Sequence, residues 1–493
     1  MNLIRTLIAG AAVAALTTAT FAATRPPAPP APPAPAPLAA APANGPMTET
    51  GYRFGPAGPV TVYRTSKEPG RFVVFVSGDG GWNQGVVDMA RQLARMDATV
   101  VGVDIRRYLA QTQAGAEAFY PAGDFAALAQ AVQKDLGFTR YHRPVVVGYS
   151  SGATIAYGAL AQAPAATFQG AIALGFCPDL KTPKPMSAGV GKLAHRPDPA
   201  LGFVYAPSAT LTAPFIVMQG GRDETCPAAQ AHAFMAQVPR GRIVDLPKVG
   251  HGYSVPANWA PRLATAFASL YPAASAPAAP VASGSAARRL AGLPLVEVNA
   301  PGHGDTMAVL YSGDGGWAGI DQGLAAGLSR GGVPVVGYDA LRYFWTARTS
   351  DEAARDLTAV LRRYMAAWGR SRVILAGYSF GADALPAIVA RLPPDIRSHV
   401  RLVALVGVSK DGELEFRPGD WLNLTASSAY PLAPVLQGLR DVPKVCIYGD
   451  RERNDACPGF APGLIQPIRV AGDHHFDGDY APVSNAILRA AGI

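Results

Sequence analysis

The sequence is poor in the features that mark metal-binding, nucleic-acid-binding and membrane-spanning proteins. It has four cysteines in 493 residues, and they lack the spacing of a zinc site or a Cys-x-x-Cys motif. Charged residues make up 16% of the chain and form no nucleic-acid-binding motif. After the first segment, no apolar run reaches membrane-spanning length without charges or helix breakers. We therefore expect no metal, no cofactor, no nucleic-acid partner and no transmembrane span in the mature chain.

The first 22 residues have the pattern of an export signal. Asn2 and Arg5 give a short polar start with positive charge, an apolar run follows, and small residues lead to Ala22. The apolar run is too short to cross a bilayer, and small residues before a cleavage site are typical of secretory signal peptides. The sequence predicts a signal peptide at residues 1–22 and a periplasmic protein.

Two segments rich in proline, alanine and other small residues interrupt the chain at residues 23–47 and 273–287. Such segments cannot build a packed core and act as extended linkers. They leave two regions of domain size, residues 48–272 and 288–493. The chain has a net charge of +8, yet residues 290–493 hold 19 Lys and Arg against 21 Asp and Glu. The excess of positive charge therefore lies in residues 1–289, which hold 24 Lys and Arg against 14 Asp and Glu. Such a basic region suits contact with an anionic membrane surface.

Both regions contain short, continuous apolar runs, most of them separated by stretches of helical length. This alternation predicts a mostly parallel sheet with helices on both faces. Its repetition predicts a duplicated α/β domain. The runs lie at residues 72–76, 100–103, 144–147, 171–174 and 215–218, and again at residues 307–310, 333–336, 373–376, 402–406 and 444–447.

The string SGDGGW occurs twice, at residues 77–82 and 312–317, and from there the two copies run in register at an offset of 235. A serine motif follows each copy, GYSSGA at residues 148–153 and GYSFGA at residues 377–382. G-x-S-x-G between an apolar strand and a helix is the nucleophile elbow of α/β-hydrolases. The sequence predicts tandem α/β-hydrolase domains with nucleophiles at Ser150 and Ser379.

The oxyanion hole of such a domain takes one N–H from the residue after the nucleophile and one from a loop after an earlier strand. SGDGGW follows such a strand in both copies, and its glycines allow the backbone amides to turn toward the site. The predicted oxyanion residues are Ser151, Asp79 and Gly80 in the first copy and Phe380, Asp314 and Gly315 in the second.

The acid and the base follow in the order Ser, acid, His that α/β-hydrolases use. The first copy offers Asp223 and His251. In the second copy His474 rather than His475 has the matching distance to the next aromatic residue. Counting from the strand end favours Glu452 as the acid, which serves as well as Asp for orienting an imidazole. Counting back from the Cys-Pro pair favours Asp455, and Asp450 also stays open.

The cysteines divide two and two between the regions. Disulfides persist in exported proteins, so we predict one bridge in each region. These bridges would pair Cys177 with Cys226 and Cys446 with Cys457. Metal binding is the weaker interpretation because no Cys/His spacing supports it.

Several residues of the second copy indicate the kind of substrate. Acidic residues surround its motifs, among them Asp314 in the glycine loop and Asp383 after the nucleophile, and they favour a cationic group. Arg342 could bind a phosphate, and the aromatic residues from Tyr343 onward suit a lipid or an interface contact. We therefore predict Asp314, Arg342, Tyr343 and Asp383 as substrate-binding residues.

The second region resembles the VirJ/AcvB family of bacterial virulence-associated periplasmic proteins. The strings YSGDGGW, GYDALRYFW, GYSFGAD and DHHFDGDY carry the resemblance, which covers essentially all of residues 288–493. The two-domain layout behind a signal peptide is similar to AcvB. The resemblance implies hydrolysis of aminoacyl-phosphatidylglycerol, notably the lysyl form, with Ser379 as nucleophile and His474 as base. The first region matches less well, since GHGYS and RRYL depart from the family strings.

The combined prediction is a periplasmic serine ester hydrolase that acts on a phospholipid headgroup at the membrane surface, mainly through the second domain. One alternative is a carboxylesterase or lipase that acts on another acyl ester. A second alternative is a non-catalytic adaptor of a secretion or envelope complex. The activity of the first domain is left open.

Overall fold

The computed structural model describes residues 45–113, 118–271, 290, 292–417 and 429–493. The predicted signal peptide, the linker at residues 273–287 and most of the linker at residues 23–47 lie outside these residues. Both repeated regions belong to a single compact unit. In the described ranges, no helix has the length and apolar character needed to cross a membrane.

The described residues of the first half form eleven strands, eight of which belong to one mostly parallel sheet. The strands are β1 (Thr48–Phe54), β2 (Gly58–Arg64), β3 (Arg71–Val76), β4 (Ala98–Val103), β5 (Val145–Tyr149), β6 (Gly170–Leu174), β7 (Asp179–Leu180), β8 (His195–Asp198), β9 (Gly202–Tyr205), β10 (Phe215–Gly220) and β11 (Gly241–Leu246). The sheet has the order β1-β2-β4-β3-β5-β6-β10-β11, in which β2 pairs antiparallel with β1 and β4. The other pairs are parallel, and β7, β9 and β8 form a small separate sheet.

The described residues of the second half form nine strands, seven of which belong to a sheet that repeats the order of the first from β2 onward. The strands are β12 (Leu295–Val298), β13 (Thr306–Tyr311), β14 (Val335–Tyr338), β15 (Arg372–Tyr378), β16 (Val400–Val406), β17 (Asp411–Gly412), β18 (Tyr430–Pro431), β19 (Lys444–Gly449) and β20 (Gln466–Val470). The sheet order is β12-β14-β13-β15-β16-β19-β20, with only the β12–β14 pair antiparallel among the described strands of this sheet. Strands β17 and β18 pair separately.

Helices cover both faces of each sheet. Those of the first half are α1 (Gln84–Ala94), α2 (Ile105–Thr112), α3 (Pro121–Asp135), α4 (Ser151–Gln162), α5 (Ala228–Met235) and α6 (Ala260–Ser269). Those of the second half are α7 (Gly319–Arg330), α8 (Ala340–Tyr343), α9 (Ser350–Trp368), α10 (Phe380–Ala390), α11 (Pro394–Arg397), α12 (Leu432–Gln437) and α13 (Ala481–Ala490). Each sheet therefore has a hydrophobic core on each face.

The repeated SGDGGW string has a packing role in both halves. The indoles of Trp82 and Trp317 lie against glycines of the neighbouring strand, where a Cβ would come within 2.0 Å of Trp82 at Gly102 and 2.3 Å of Trp317 at Gly337. A larger residue at either glycine would force the indole out of the core. The tryptophan thereby fixes the end of the loop that carries the predicted oxyanion residues.

The prediction of two α/β-hydrolase domains with mostly parallel sheets is confirmed by this strand order. The sequence did not reveal the antiparallel edge strands. Strand β1 is largely exposed, with the burial pattern of a solvated hairpin, so it has no continuous apolar run. The three-stranded sheet is inserted after β6 and the two-stranded sheet after β16. The strands of both small sheets are too short to give a period.

Candidate active site

Each predicted nucleophile occupies a strained turn between a strand and a helix. Ser150 lies between β5 and α4 with φ 55°, and Ser379 lies between β15 and α10 with φ 49°. Non-glycine residues rarely adopt positive φ, and such strain is a feature of the nucleophile elbow. The second glycine of the motif is needed for packing, since a Cβ on Gly381 would lie 2.5 Å from the carbonyl oxygen of Ser312.

A Ser–His–acid chain is present in the first half. The Oγ of Ser150 lies 2.9 Å from Nε2 of His251, and Nδ1 of His251 lies 2.9 Å from Asp223 Oδ2. Asp223 follows β10, and its side chain is fully buried. Its Oδ1 accepts the backbone N–H of Thr225 and of Cys226 at 3.1 and 2.8 Å. These bonds hold the carboxylate in the orientation that the imidazole requires.

The second half has the corresponding chain. The Oγ of Ser379 lies 3.1 Å from Nε2 of His474, and Nδ1 of His474 lies 2.5 Å from Glu452 Oε1. Glu452 follows β19, at the place where Asp223 follows β10. These are the contacts that let an imidazole accept the serine proton while a carboxylate orients it.

A tyrosine inside each serine motif supports the histidine loop, and the sequence analysis missed this role. The hydroxyl of Tyr149 donates to the carbonyl of His251 at 2.8 Å. The hydroxyl of Tyr378 lies 3.2 Å from the carbonyl of His474 and 3.0 Å from Nδ1 of His475. The signal was available, because both motifs read Gly-Tyr-Ser. The tyrosine that precedes each serine therefore links the nucleophile to the loop that carries its histidine.

The predicted oxyanion residues lie beside the nucleophiles. Ser151 and Phe380 begin helices α4 and α10, where N–H groups lack an intrahelical acceptor. The glycine loop packs against the serine, since a Cβ on Gly313 would lie 3.6 Å from Ser379 Cβ. Ser312 fixes this loop because its Oγ accepts the N–H of Ala340 at 2.8 Å. The use of the amides of Asp79, Gly80, Asp314 and Gly315 stays a prediction.

Ser379 and His474 open into a cavity of about 680 Å³. This volume lies within the range of small-molecule sites, about 300–1,000 Å³. The second half contributes the loop from Gly313 to Gly316 and the side chains of Asp321, Arg342 and Tyr480. The first half contributes the opposite wall, with residues of α3 and of the loops that contain Pro164 and Val190. The cavity therefore lies between the two repeats.

A family model described as bacterial virulence protein (VirJ) matches residues 70–176 and 305–492, which is more than half of the chain. The chain belongs to the VirJ family. No curated protein matches it. Similar solved structures include the esterase domain of a Rhodothermus marinus protein, 12% identical over 45% of this chain and 96% of that chain, with a TM-score of 0.31. Another is an α/β serine hydrolase without a lid from Xanthomonas campestris, 20% identical over 46% and 96%, with a TM-score of 0.29.

Carboxylates change the electrostatics of the second site in this VirJ-family protein. Burial alone would lower the pKa of His474, but the hydrogen bond and charge of Glu452, with the charges of Asp314 and Asp455, raise it above the usual histidine value. Burial and the neighbouring His474 lower the pKa of His475. At neutral pH the negative charge of the site therefore favours a bound cation.

Asp321 is a further acid in the cavity that the sequence analysis missed. It is 1% exposed and lines the cavity. Its Oδ2 accepts the N–H of Ala318 at 3.1 Å, whereas Oδ1 is buried and makes no hydrogen bond of normal geometry among the described residues. Burial raises the pKa of this carboxyl well above its usual range. A ligand cation that entered the cavity would relieve both the missing hydrogen bond and the cost of burying the charge.

The three candidate acids of the VirJ-like half differ in their contacts, and Glu452 is the one that contacts His474. Glu452 contacts His474, whereas Asp450 Oδ1 accepts the N–H of Gly472 at 2.9 Å and pairs with Arg469. Asp455 Oδ1 accepts the N–H of Cys457 at 2.6 Å, and burial raises the pKa of Asp455 to about 6. Neither Asp450 nor Asp455 is placed to orient the imidazole.

Both cysteine pairs form disulfides, Cys177 with Cys226 and Cys446 with Cys457. Each bridge reaches the segment that follows the acid of its half. Asp455 lies close to the sulfurs of Cys446 and Cys457. Because these sulfurs are bonded to each other, they are not free to act as thiolate ligands of a metal.

Two of the predicted substrate-binding residues do not reach the cavity. Tyr343 is 1% exposed, and its hydroxyl donates to Asp356 Oδ2 at 2.7 Å, so its ring is part of the core. Asp383 is buried and accepts the N–H of Ser409 at 2.7 Å; burial raises its pKa to about 7. These predictions were wrong because the aromatic and acidic residues serve packing and loop attachment. Asp314 and Arg342 do line the cavity.

Proposed function

We propose that this protein is a serine hydrolase that cleaves the aminoacyl ester of aminoacyl-phosphatidylglycerol, with the lysyl form preferred. The observation that carries the proposal is the Ser379–His474–Glu452 chain at a cavity lined by Asp314 and Asp321. Membership of the VirJ family and the α/β-hydrolase fold support a hydrolase. The acidic lining supports a cationic ester.

The contacts define the order of proton transfers. Oγ of Ser379 attacks the ester carbonyl while Nε2 of His474 takes its proton, and the oxyanion forms beside the amides of Phe380 and the glycine loop. The imidazolium returns that proton to the departing alcohol oxygen, which leaves an aminoacyl-serine. Water then attacks the acyl carbon, again with His474 as base. Collapse of the second intermediate releases the amino acid and restores Ser379.

The charges around the cavity fit the two ends of such a substrate. Asp314 and Asp321 suit the ammonium groups of a lysyl ester, because a hydrogen bond between an ammonium and a carboxylate is stronger than one between neutral groups. Arg342 is exposed at the cavity, and its guanidinium has no ion-pair partner among the described residues. It suits the phosphodiester of the lipid headgroup. The proposal includes a reaction in the periplasm at the membrane surface, which the predicted signal peptide supports.

Purified protein incubated separately with lysyl- and alanyl-phosphatidylglycerol, and with a neutral carboxylic ester, tests the proposal. We expect release of the amino acid from the aminoacyl lipids, faster from the lysyl form. The neutral ester should react with a lower kcat/KM. Equal or greater preference for the neutral ester would show that the protein is a carboxylesterase or lipase and not an aminoacyl-lipid hydrolase.

A second candidate function concerns the first half alone. Its Ser150–His251–Asp223 chain is as complete as that of the second half, which favours a second ester hydrolase site with a different substrate. Reaction of the neutral ester in a Ser379→Ala variant, and its loss on further change of Ser150 to Ala, would support this function. A silent Ser379→Ala protein would leave the first half without hydrolytic activity on that ester.

A further inference from the structure

The wall that the first half contributes to the Ser379 cavity is apolar. We define this apolar wall as Tyr120, Ala126, Ala127, Pro164 and Val190, all of which line the cavity. The first three lie at the start of α3 or on its exposed side, and the other two lie on loops beyond α4. The acidic and basic groups described above lie on the second half. Gln130 and Arg143 of the first half also line the cavity, so its first-half side is mainly apolar, whereas the carboxylates all lie on the second half.

The apolar wall exposes hydrocarbon that a folded protein usually buries. Large apolar side chains with high exposure are few in the described residues, namely Tyr120, Val190, Leu201, Val255 and Ile493, and two of these five line this cavity. Tyr120 is 36% exposed and Val190 is 53% exposed. Exposed apolar side chains concentrated at a concave site mark a surface that binds an apolar group.

Specific contacts between the halves hold the apolar wall over the second site. Nε1 of Trp345 donates to the carbonyl of Phe138 at 2.8 Å, and Lys134 Nζ donates to the carbonyl of Trp345 at 2.5 Å. Arg143 pairs with the buried Asp339 at 3.4 Å. Lys134 and Arg143 flank the end of α3, so the helix that presents the apolar wall is anchored near its C-terminus. The cavity is a built feature of the chain and needs no second copy.

We propose that the apolar wall binds the hydrocarbon of the alcohol part of the ester that is cleaved at Ser379. This proposal rests on the proposed function and adds a binding site for the lipid part of the substrate. Asp314 and Asp321 lie on the second half and attract the ammonium of the acyl part. The alcohol part extends from the other side of the ester carbonyl, and its hydrocarbon, beyond the phosphodiester assigned to Arg342, is directed toward the first half. The first repeat thus serves as the substrate-binding partner of the second repeat.

Two lysine esters that differ only in their alcohol, ethyl and decyl, test this inference below the concentration at which the decyl ester forms micelles. The parent protein is the full chain with Ser150→Ala, so that only Ser379 is measured. Because each buried methylene tightens binding about fourfold, we expect a KM for the decyl ester at least about tenfold lower than for the ethyl ester. Val190→Asp should raise the decyl KM about fivefold relative to the ethyl KM, and so reduce the difference between the two esters.

Val255→Asp is the matched control, because Val255 is also 53% exposed but does not line the cavity. Ala127→Trp is a second test that fills the cavity without adding charge. Ala127→Trp should raise the decyl KM relative to the ethyl KM, and its circular dichroism spectrum and thermal unfolding show whether it is folded. Equal KM values for the two esters in the parent protein, or equal effects of Val190→Asp and Val255→Asp, would overturn the inference. If no lysine ester is cleaved, the proposed function fails, and ethyl and decyl acetate then make the same comparison.

Discussion

The two halves share a sheet order, a strained serine and a Ser–His–acid chain, but they differ in what surrounds the chain. In the first half the acid is held by two backbone N–H groups. In the second half Oε2 of Glu452 is buried without a hydrogen-bond partner among the described residues. Additional carboxyls lie near the second histidine, and Asp321 replaces the valine that stands at position 86 in the first copy.

The difference shows that the catalytic chain alone does not define the substrate of either half. Serine, histidine and an acid are the common machinery of the fold. What distinguishes the second half is its acidic cavity and the apolar wall that the first half places over it. Trp345, which anchors this wall, has Ala110 as its counterpart in the first copy. We propose that the duplicated domains have diverged into a half that cleaves the lipid ester and a half that completes its partner's site.

The largest effect that would test this division is expected from the nucleophiles. Ser379→Ala should lower kcat/KM for a lysyl ester by about 10³-fold or more, because removing a triad member leaves only binding and the oxyanion hole. Ser150→Ala should leave that rate within about twofold, since its site lies in the other half. Lysine release from lysyl-phosphatidylglycerol measures both rates. A larger loss with Ser150→Ala would exchange the roles of the two halves.

The next effect concerns the acid of the second site. Glu452→Gln should lower the rate about 10²-fold or more, because an amide does not orient or stabilise the imidazolium. Glu452 also raises the pKa of His474, and the base acts only when neutral. Activity of the parent should therefore fall as the pH drops through a value above about 6.5, and Glu452→Gln should move this loss to lower pH. A pH–rate profile measures both effects.

Asp455→Asn is the control for that prediction, since Asp455 lies in the same loop but does not contact His474. We expect the rate of this variant to fall by less than about tenfold, because Asp455 makes no hydrogen bond to His474 or Ser379. If Asp455→Asn instead lost more activity than Glu452→Gln, Asp455 would be the acid.

A moderate effect is expected from Asp321. Asp321→Asn should raise KM for a lysine ester about tenfold and leave KM for a neutral ester unchanged, because a hydrogen bond to a charged group contributes about 1.5–3 kcal/mol. Asp356→Asn is the matched control, since Asp356 is also a buried acid of the second half but is not among the cavity-lining residues. Parallel changes for the charged and neutral esters would remove Asp321 from substrate recognition.

The smallest kinetic effect, a change in KM, is expected from a substitution at the contact between the halves. Trp345→Ala should raise KM for a long-chain lysine ester about threefold to fivefold, because loss of a buried indole loosens the apolar wall by creating a cavity. Trp368→Ala, which removes a partly buried indole that packs on Tyr364, should not change that KM. Steady-state kinetics with the ethyl and decyl esters compares the two variants. A Trp345→Ala protein with normal KM would show that the wall does not depend on this anchor.

The sequence was sufficient for the sheet and for the Ser–His–acid contacts because both have local signals. Continuous apolar runs indicated the central strands, and the elbow glycines marked Ser150 and Ser379. The choice of Glu452 over Asp455 followed from its distance to the end of a strand. The exposed strand β1 has no such signal, and Tyr343 looked like a surface aromatic until its hydroxyl was seen to bond Asp356.

The cavity could not be predicted from either half alone. Its apolar wall and its acidic side lie on different repeats, and Tyr120 and Asp321 become neighbours of one cavity only when the halves pack together. The contacts that pack them, such as Trp345 with Phe138, join residues 207 positions apart. No local pattern encodes such a contact, although the aromatic run after Arg342, absent from the first copy, marked where to look.

Fluorophosphonate labelling with peptide mapping tests the central claim most directly, because one experiment reports on both serines. The account predicts that Ser150 and Ser379 both react, since each contacts a histidine in an intact chain. It also predicts that excess lysyl-phosphatidylglycerol slows labelling at Ser379 and not at Ser150. Protection of Ser150 instead, or an unreactive Ser379, would contradict the assignment of the second half as the aminoacyl-lipid hydrolase.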